Sequence, residues 1–237
     1  FWTKTRGSGC AYLKNILKGL TGILIYFAVS NYAAVPLYAL GIDPSKLPGY
    51  VTDIYSLFME FLIILSIFLL FQKEITNSFK DLKKNHLKYF KKYLKYYLLA
   101  IIVMMGSNAI INVLGGGISE NESAIRSSFQ TSPVYVFVAS VIFAPVLEEF
   151  TFRGCFRAIF KNDTVFILVS GLVFGSLHLI TMPLNELFPI YLISYSSCGI
   201  AFAYMLAKSN NIFVSTGFHF MHNGILMSLQ TFLLFFS

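Results

Sequence analysis

Inside an apolar run from Pro133 to Phe160 the chain carries Glu148, Glu149 and Arg153, and two later apolar runs carry His178 and the pair His219 and Asn223. These side chains handle protons and developing negative charge. A carboxylate can take a proton from water, and an imidazole or a primary amide can donate hydrogen bonds to an oxyanion. On a helix Glu149 and Arg153 stand four apart, acid first, and can neutralise one another. Glu148 lies about 100° further round the helix and lacks that partner. An unpaired carboxylate in a low-dielectric site suits a general base. Each group also has a plainer reading as a polar clasp between helices, in which Glu148, Glu149 and Arg153 form one buried ion network. Phe174-Gly-Ser-Leu-His178 adds Gly171 and Gly175 on a spacing that lets helices approach closely.

Positioning these residues requires helices that cross a bilayer. Of the 237 residues 56% are apolar and 12% charged, a composition that excludes a soluble domain. A span takes about 20 mainly apolar residues. Seven runs meet that measure, at roughly 17–41, 53–72, 95–115, 133–160, 164–181, 188–207 and 211–235. The fold class is therefore all-α, a polytopic integral membrane protein. Asn31 and Pro36 in the first run, and Asn108 and Asn112 in the third, predict kinks or faces turned toward protein.

The net charge of +7 does not indicate nucleic acid, because Lys and Arg gather between the apolar runs rather than on one polar face. Lys4, Arg6, Lys14 and Lys18 precede the first run, eight lysines from Lys73 to Lys95 lie between the second and third, Arg157 and Lys161 follow the fourth, and Lys208 follows the sixth. The alternate loops are poor in positive charge. The positive-inside rule then puts the N-terminus in the cytoplasm. In the Lys-rich stretch Phe79, Leu82, Phe90, Tyr93, Leu94 and Tyr97 recur at helical spacing, which predicts an amphipathic interfacial helix on anionic lipid that continues into the third span. Gly115-Gly-Gly-Ile-Ser-Glu-Asn-Glu-Ser reads as a flexible seam. It divides an N-terminal half, 1–132, with the Lys-rich cytoplasmic loop, from 133–237, which holds the motifs. Cys10, Cys155 and Cys198 have no paired spacing and read as structural.

Membrane depth links the three groups. With the inner helix ends near Phe160, Thr164 and Asn211, Glu148 lies roughly 18 Å, His178 21 Å and His219 12 Å from the cytoplasmic side. A Glu, two His and an Asn can therefore meet. Two routes to hydrolysis are open: His178 and His219 hold a divalent metal such as Zn²⁺ while Glu148 activates its water, or Glu148, oriented by His178, activates water directly while His219 and Asn223 donate to the oxyanion.

Glu148-Glu149-xxx-Arg153, Phe174-xxx-His178 and His219-xxx-Asn223 resemble, in the same order, the three motifs of the CAAX-protease and bacteriocin-processing (Abi-type) family, intramembrane proteases related to the CAAX prenyl endopeptidase. The resemblance covers about 133–236. It implies Glu148 as water-activating base, Glu149 and Arg153 as its support, and His178, His219 and Asn223 as metal ligands or oxyanion donors. Family members are described both as metalloproteases and as glutamate proteases, so the resemblance implies either a divalent metal (Zn) or no cofactor. The implied activity is cleavage of a membrane-associated peptide or lipid-anchored protein in a bacterial cytoplasmic membrane, of the kind that matures a bacteriocin or pheromone precursor or confers self-immunity. Two readings from other classes stand beside it: a non-catalytic immunity or peptide-binding scaffold protein, and an ion-coupled transporter built on the same buried charges.

Overall fold

The computed structural model describes residues 9–236, the last three by backbone only. Lys4 and Arg6 lie outside the described residues. The chain forms helices α1 (Gly9–Tyr32), α2 (Val35–Ala39), α3 (Gly49–Leu70), α4 (Gln72–Val113), α5 (Glu120–Thr131), α6 (Pro133–Ile159), α7 (Asp163–Leu177), α8 (Phe188–Ser209) and α9 (Ile212–Phe236), with no strand among the described residues. All seven predicted runs are helical. By length and composition α1, α3, α4, α6 and α8 can each cross a membrane. The run predicted at 164–181 yields only the 15-residue α7, because its helix stops at Leu177 ahead of Pro183.

The first run differs most from expectation. Its helix begins at Gly9, taking in Lys14 and Lys18, and breaks after Tyr32, so that Pro36 opens the separate short helix α2. Leu13, Leu17, Leu20, Leu24 and Phe27 remain exposed along α1, while Gly19 and Gly22 press against α6. A Cβ on Gly19 would lie 2.6 Å from the carbonyl of Cys155, so only glycine admits that approach.

The expected flexible seam stays non-helical through Ser119 and turns helical from Glu120. Ser119 caps α5 by accepting from the Glu122 amide, with Glu120 and Glu122 in the first turn. Ser119-x-x-Glu122 is a capping-box spacing, which outweighs the glycines before it.

The Lys-rich stretch and the third span form one 42-residue helix, α4, about 63 Å long. Part of its apolar stripe packs on protein: Phe79 lies edge-on to Phe213, Phe90 stacks on Phe218, and Tyr93 and Tyr97 are buried against α8 and α9, while Phe79 and Phe90 stay exposed on their outer side. All eight lysines face outward. Amphipathicity alone cannot distinguish a protein surface from a lipid one.

The four segments rich in positive charge gather at one end of the bundle. Tyr12 donates to the Ile159 carbonyl at 2.9 Å, Arg157 and Lys208 both bind the Asp163 carboxylate, and the Asn211 amide donates to the Ser78 carbonyl and to Asp81. Helix α8 is central. In its most apolar window 61% of residues are buried, against 11% for α1 and α3, and its faces are covered by α4, α7 and α9.

Candidate active site

Helix α6 is not a regular α-helix. It passes through two π-helical segments, Ala139–Phe143 and Glu149–Cys155. In the first, the Ala144 amide reaches back five residues to the Ala139 carbonyl. The next carbonyl, Ser140, would in that register need the amide of residue 145, which is proline and has none. The Asn223 side-chain amide donates to it at 2.8 Å instead. Pro145 thus creates the vacancy that fixes Asn223, and so α9, against α6. Such local widening recurs at functional sites.

The second π segment carries the charged residues. Glu149 and Arg153 are both fully buried, with Arg153 Nε 3.4 Å from Glu149 Oε1. The guanidinium lies 4.3 Å from the centre of the Phe174 ring and donates to the Gly199 carbonyl at 3.3 Å. That carbonyl is within reach because α7 and α8 are in backbone contact. A Cβ on Gly171 would lie 2.8 Å from the Ile200 nitrogen, and one on Gly175 2.8 Å from the Ser196 nitrogen. The predicted glycine spacing performs the close approach expected of it.

His219 Nδ1 lies 3.0 Å from Glu149 Oε1. A carboxylate only accepts, so Nδ1 carries a proton and Nε2 points away from Glu149. The ring stacks on Phe202 at 4.9 Å and meets Phe174 edge-on. Its Nε2 stands 3.7 Å from Glu148 Oε2, beyond a direct hydrogen bond and at a span that a water can bridge. The two neighbouring carboxylates therefore differ as their spacing indicated. Glu149 is sealed behind His219 with Arg153, whereas Glu148 is 20% exposed.

His178 donates from Nδ1 to the Phe174 carbonyl at 2.9 Å, leaving Nε2 as the free nitrogen, and its ring stacks on Tyr195. Glu148, His178, His219 and Asn223 all line one cavity of about 1030 Å³. Glu149 and Arg153 lie outside its lining. Phe174 stands between the two imidazoles, 4.5 Å from His178 and 5.9 Å from His219 centre to centre. Glu148 stands beside His219, and among the described residues no hydrogen bond joins it to His178.

The fit to a metal can be judged from the donors. Among the described residues no three His, Cys, Asp or Glu side chains come together as a ligand set, and the two nitrogens of His219 each face a carboxylate. The three protein ligands usual for catalytic zinc are not assembled by this arrangement.

Two further polar residues lie near the motif residues, and of these Glu60 escaped the sequence reading. His222, on the same turn as Asn223, bonds Tyr97 of α4 at 3.3 Å and also lines the cavity. Glu60 of α3 lies within electrostatic reach of Glu148, together with Tyr26. An acid inside the most apolar run was itself the signal.

Residues 130–225 match the family model described as Type II CAAX prenyl endopeptidase Rce1-like. This region is similar to the Rce1-like family. Among curated proteins, 115 residues are 30% identical to "Putative membrane peptidase YdiL" of Bacillus subtilis, covering 47% of this chain and 43% of that one. An uncharacterized protein of Mycoplasma capricolum is 27% identical over 184 residues, covering 71% of this chain and 54% of its own length. The chain thus spans about half the length of the curated relatives it matches. No solved structure matches it. The Rce1-like region takes in all six motif residues, from Glu148 to Asn223, whereas α1 to α4 lie outside it.

Proposed function

We propose that the protein is an intramembrane endopeptidase that hydrolyses a peptide bond of a membrane-associated peptide or lipid-anchored protein. The observation that carries this reading is Glu148. It faces a membrane cavity 3.7 Å from His219 Nε2, while Glu149 and Arg153 are held behind that imidazole. In the mechanism, Glu148 takes a proton from a water held between it and His219, and the hydroxide attacks the scissile carbonyl. The second amide hydrogen of Asn223 donates to the oxyanion, while the unprotonated Nε2 of His219 accepts the other hydrogen of the attacking water. Glu149 keeps the proton on His219 Nδ1 and fixes the ring, as the buried acid does in a catalytic triad. Arg153 offsets the charge of Glu149. Glu148 then returns its proton to the leaving amine. His178, stacked on Tyr195, contributes its free Nε2 to substrate alignment.

The proposed setting is a bacterial cytoplasmic membrane with the N-terminus and the Lys-rich end of α4 on the cytoplasmic side, where the eight exposed lysines attract anionic lipid. Maturation of a secreted bacteriocin or pheromone precursor, or self-immunity, suits such an enzyme.

The test is cleavage of a pool of quenched fluorescent decapeptides by the purified protein in detergent. We expect Glu148→Gln to lower turnover by about 10²-fold or more, with the same thermal unfolding as wild type. Equal cleavage by wild type and the variant would overturn the assignment. A wild-type protein that binds the pool without cutting it would favour the immunity or scaffold reading. Activity that survives verified chelation is expected. Loss of activity that Zn²⁺ restores would return the metal route.

A further inference from the structure

Asn108 and Asn112 remain unexplained by the chemistry. They stand four apart on one face of spanning helix α4, and both line the cavity that holds Glu148 and His219. Asn121 and Gln130 of α5 line the same cavity. The charges at that rim, Glu122 and Arg126, are paired with each other, so this wall offers amides rather than net charge. Asn108 Oδ1 accepts from Ser194 at 2.8 Å, which turns its NH₂ group toward other partners.

We infer that this amide-lined wall binds the main chain of the substrate as an extended, unwound segment. The inference rests on the peptidase reading and adds the form in which the substrate is held. A helix crossing a membrane satisfies its own N–H and C=O groups, and exposing them to apolar surroundings is costly. A peptide bond cannot reach Glu148 while its carbonyl is buried in a helical ladder, so several residues must unwind and find other partners. A primary amide carries both a donor and acceptors and complements a peptide group of either polarity. The spacing agrees as well: residues four apart on a helix are displaced by about 6 Å along its axis, and alternate residues of an extended chain by about 6.6 Å. Asn108 and Asn112 can thus meet two groups on one edge of such a chain. These residues precede the Rce1-like region, which places substrate fit on the part of the chain the family match leaves out.

The experiment uses wild-type protein and single variants with the same fluorescent decapeptides. Asn112→Leu is expected to raise KM about tenfold with kcat within about twofold, and Asn108→Leu to do the same. Asn112→Gln, which keeps the amide, should recover most of the loss. Wild-type protein should show a matching rise in KM for decapeptides N-methylated at single backbone amides near the cut. That arm requires no variant to fold. For Asn112→Leu the rise caused by N-methylation should be smaller, since the partner is already gone. Unchanged KM in both arms would overturn the inference, as would a fall in kcat alone. If Glu148→Gln cleaves the pool as fast as wild type, the peptidase reading itself fails. If Glu148→Gln is inactive and the amide variants keep their KM, only the extended-chain wall fails.

Discussion

In α6 to α9 the polar groups inside the bundle are bonded to one another. Arg153 to Glu149, Glu149 to His219, Asn223 to Ser140 and Arg153 to Gly199 form one linked set. Glu60 of α3 and Asn108 of α4 stand outside that set, although Asp81 of α4 is bonded to Asn211 and Tyr97 to His222. Glu60 Oε2 is buried without a hydrogen bond among the described residues, as are Arg153 Nη1 and Ser196 Oγ in the other half, and Asn108 shares one bond with Ser194. A network fixes positions to within a fraction of an ångström, as acid–base chemistry requires. Sparse polar groups lining a cavity leave hydrogen-bonding capacity for a visitor. The contrast divides the molecule into a half that holds one linked polar set and a half whose polar groups are less connected to it.

Breaking the network should cost the most. Arg153→Met leaves Glu149 as an uncompensated buried charge and is expected to destabilise the fold by about 3–5 kcal/mol, seen as a lower unfolding temperature in detergent. An unfolding temperature like that of wild type would mean that Glu149 does not depend on its partner. Gly175→Leu forces a side chain into the Ser196 backbone, with an expected cost of about 1–3 kcal/mol and loss of the Arg153–Gly199 contact. If this variant is as stable as wild type, α7 and α8 are not locked by backbone contact. Replacing Lys83, Lys84 and Lys88 with Gln should weaken retention of anionic lipid by about 1 kcal/mol per lysine, counted by native mass spectrometry. Retention unaffected by the change would remove lipid from the role of that face. The smallest effect belongs to the other half. Glu60→Leu removes a carboxyl oxygen that has no hydrogen bond and should shift stability by no more than about 1 kcal/mol. A loss as large as that of Arg153→Met would erase the distinction between the halves.

The apolar runs and the charged loops between them were legible because a bilayer imposes both length and charge sidedness on a sequence. The inequality of Glu148 and Glu149 was legible from spacing, since i to i+4 neighbours meet on any helix. Other features have no pattern at that scale. The π segments of α6 depend on the whole helix accommodating Pro145, and Asn223 capping Ser140 joins residues 83 positions apart. The capping box at Ser119 was present in the sequence but stood behind three glycines. The apolar stripe of α4 indicated the helix but not its protein neighbours, because Phe79 and Phe90 satisfy protein and lipid equally well. The cavity arises only when α4, α5, α8 and α9 are assembled, so Asn108 and Asn112 registered as polar residues needing protein contact, without a destination.

The central claim is that Glu148, and not Glu149, activates water against a peptide bond. Mass spectrometry of peptides cut in oxygen-18 water by wild type, Glu148→Gln and Glu149→Gln, each checked for folding, tests it directly. We expect one heavy oxygen in the new carboxyl group with wild type, labelled product formed about 10²-fold or more slowly with Glu148→Gln, and a smaller slowing with whatever fraction of Glu149→Gln folds. Labelled product at the wild-type rate from Glu148→Gln would contradict the account.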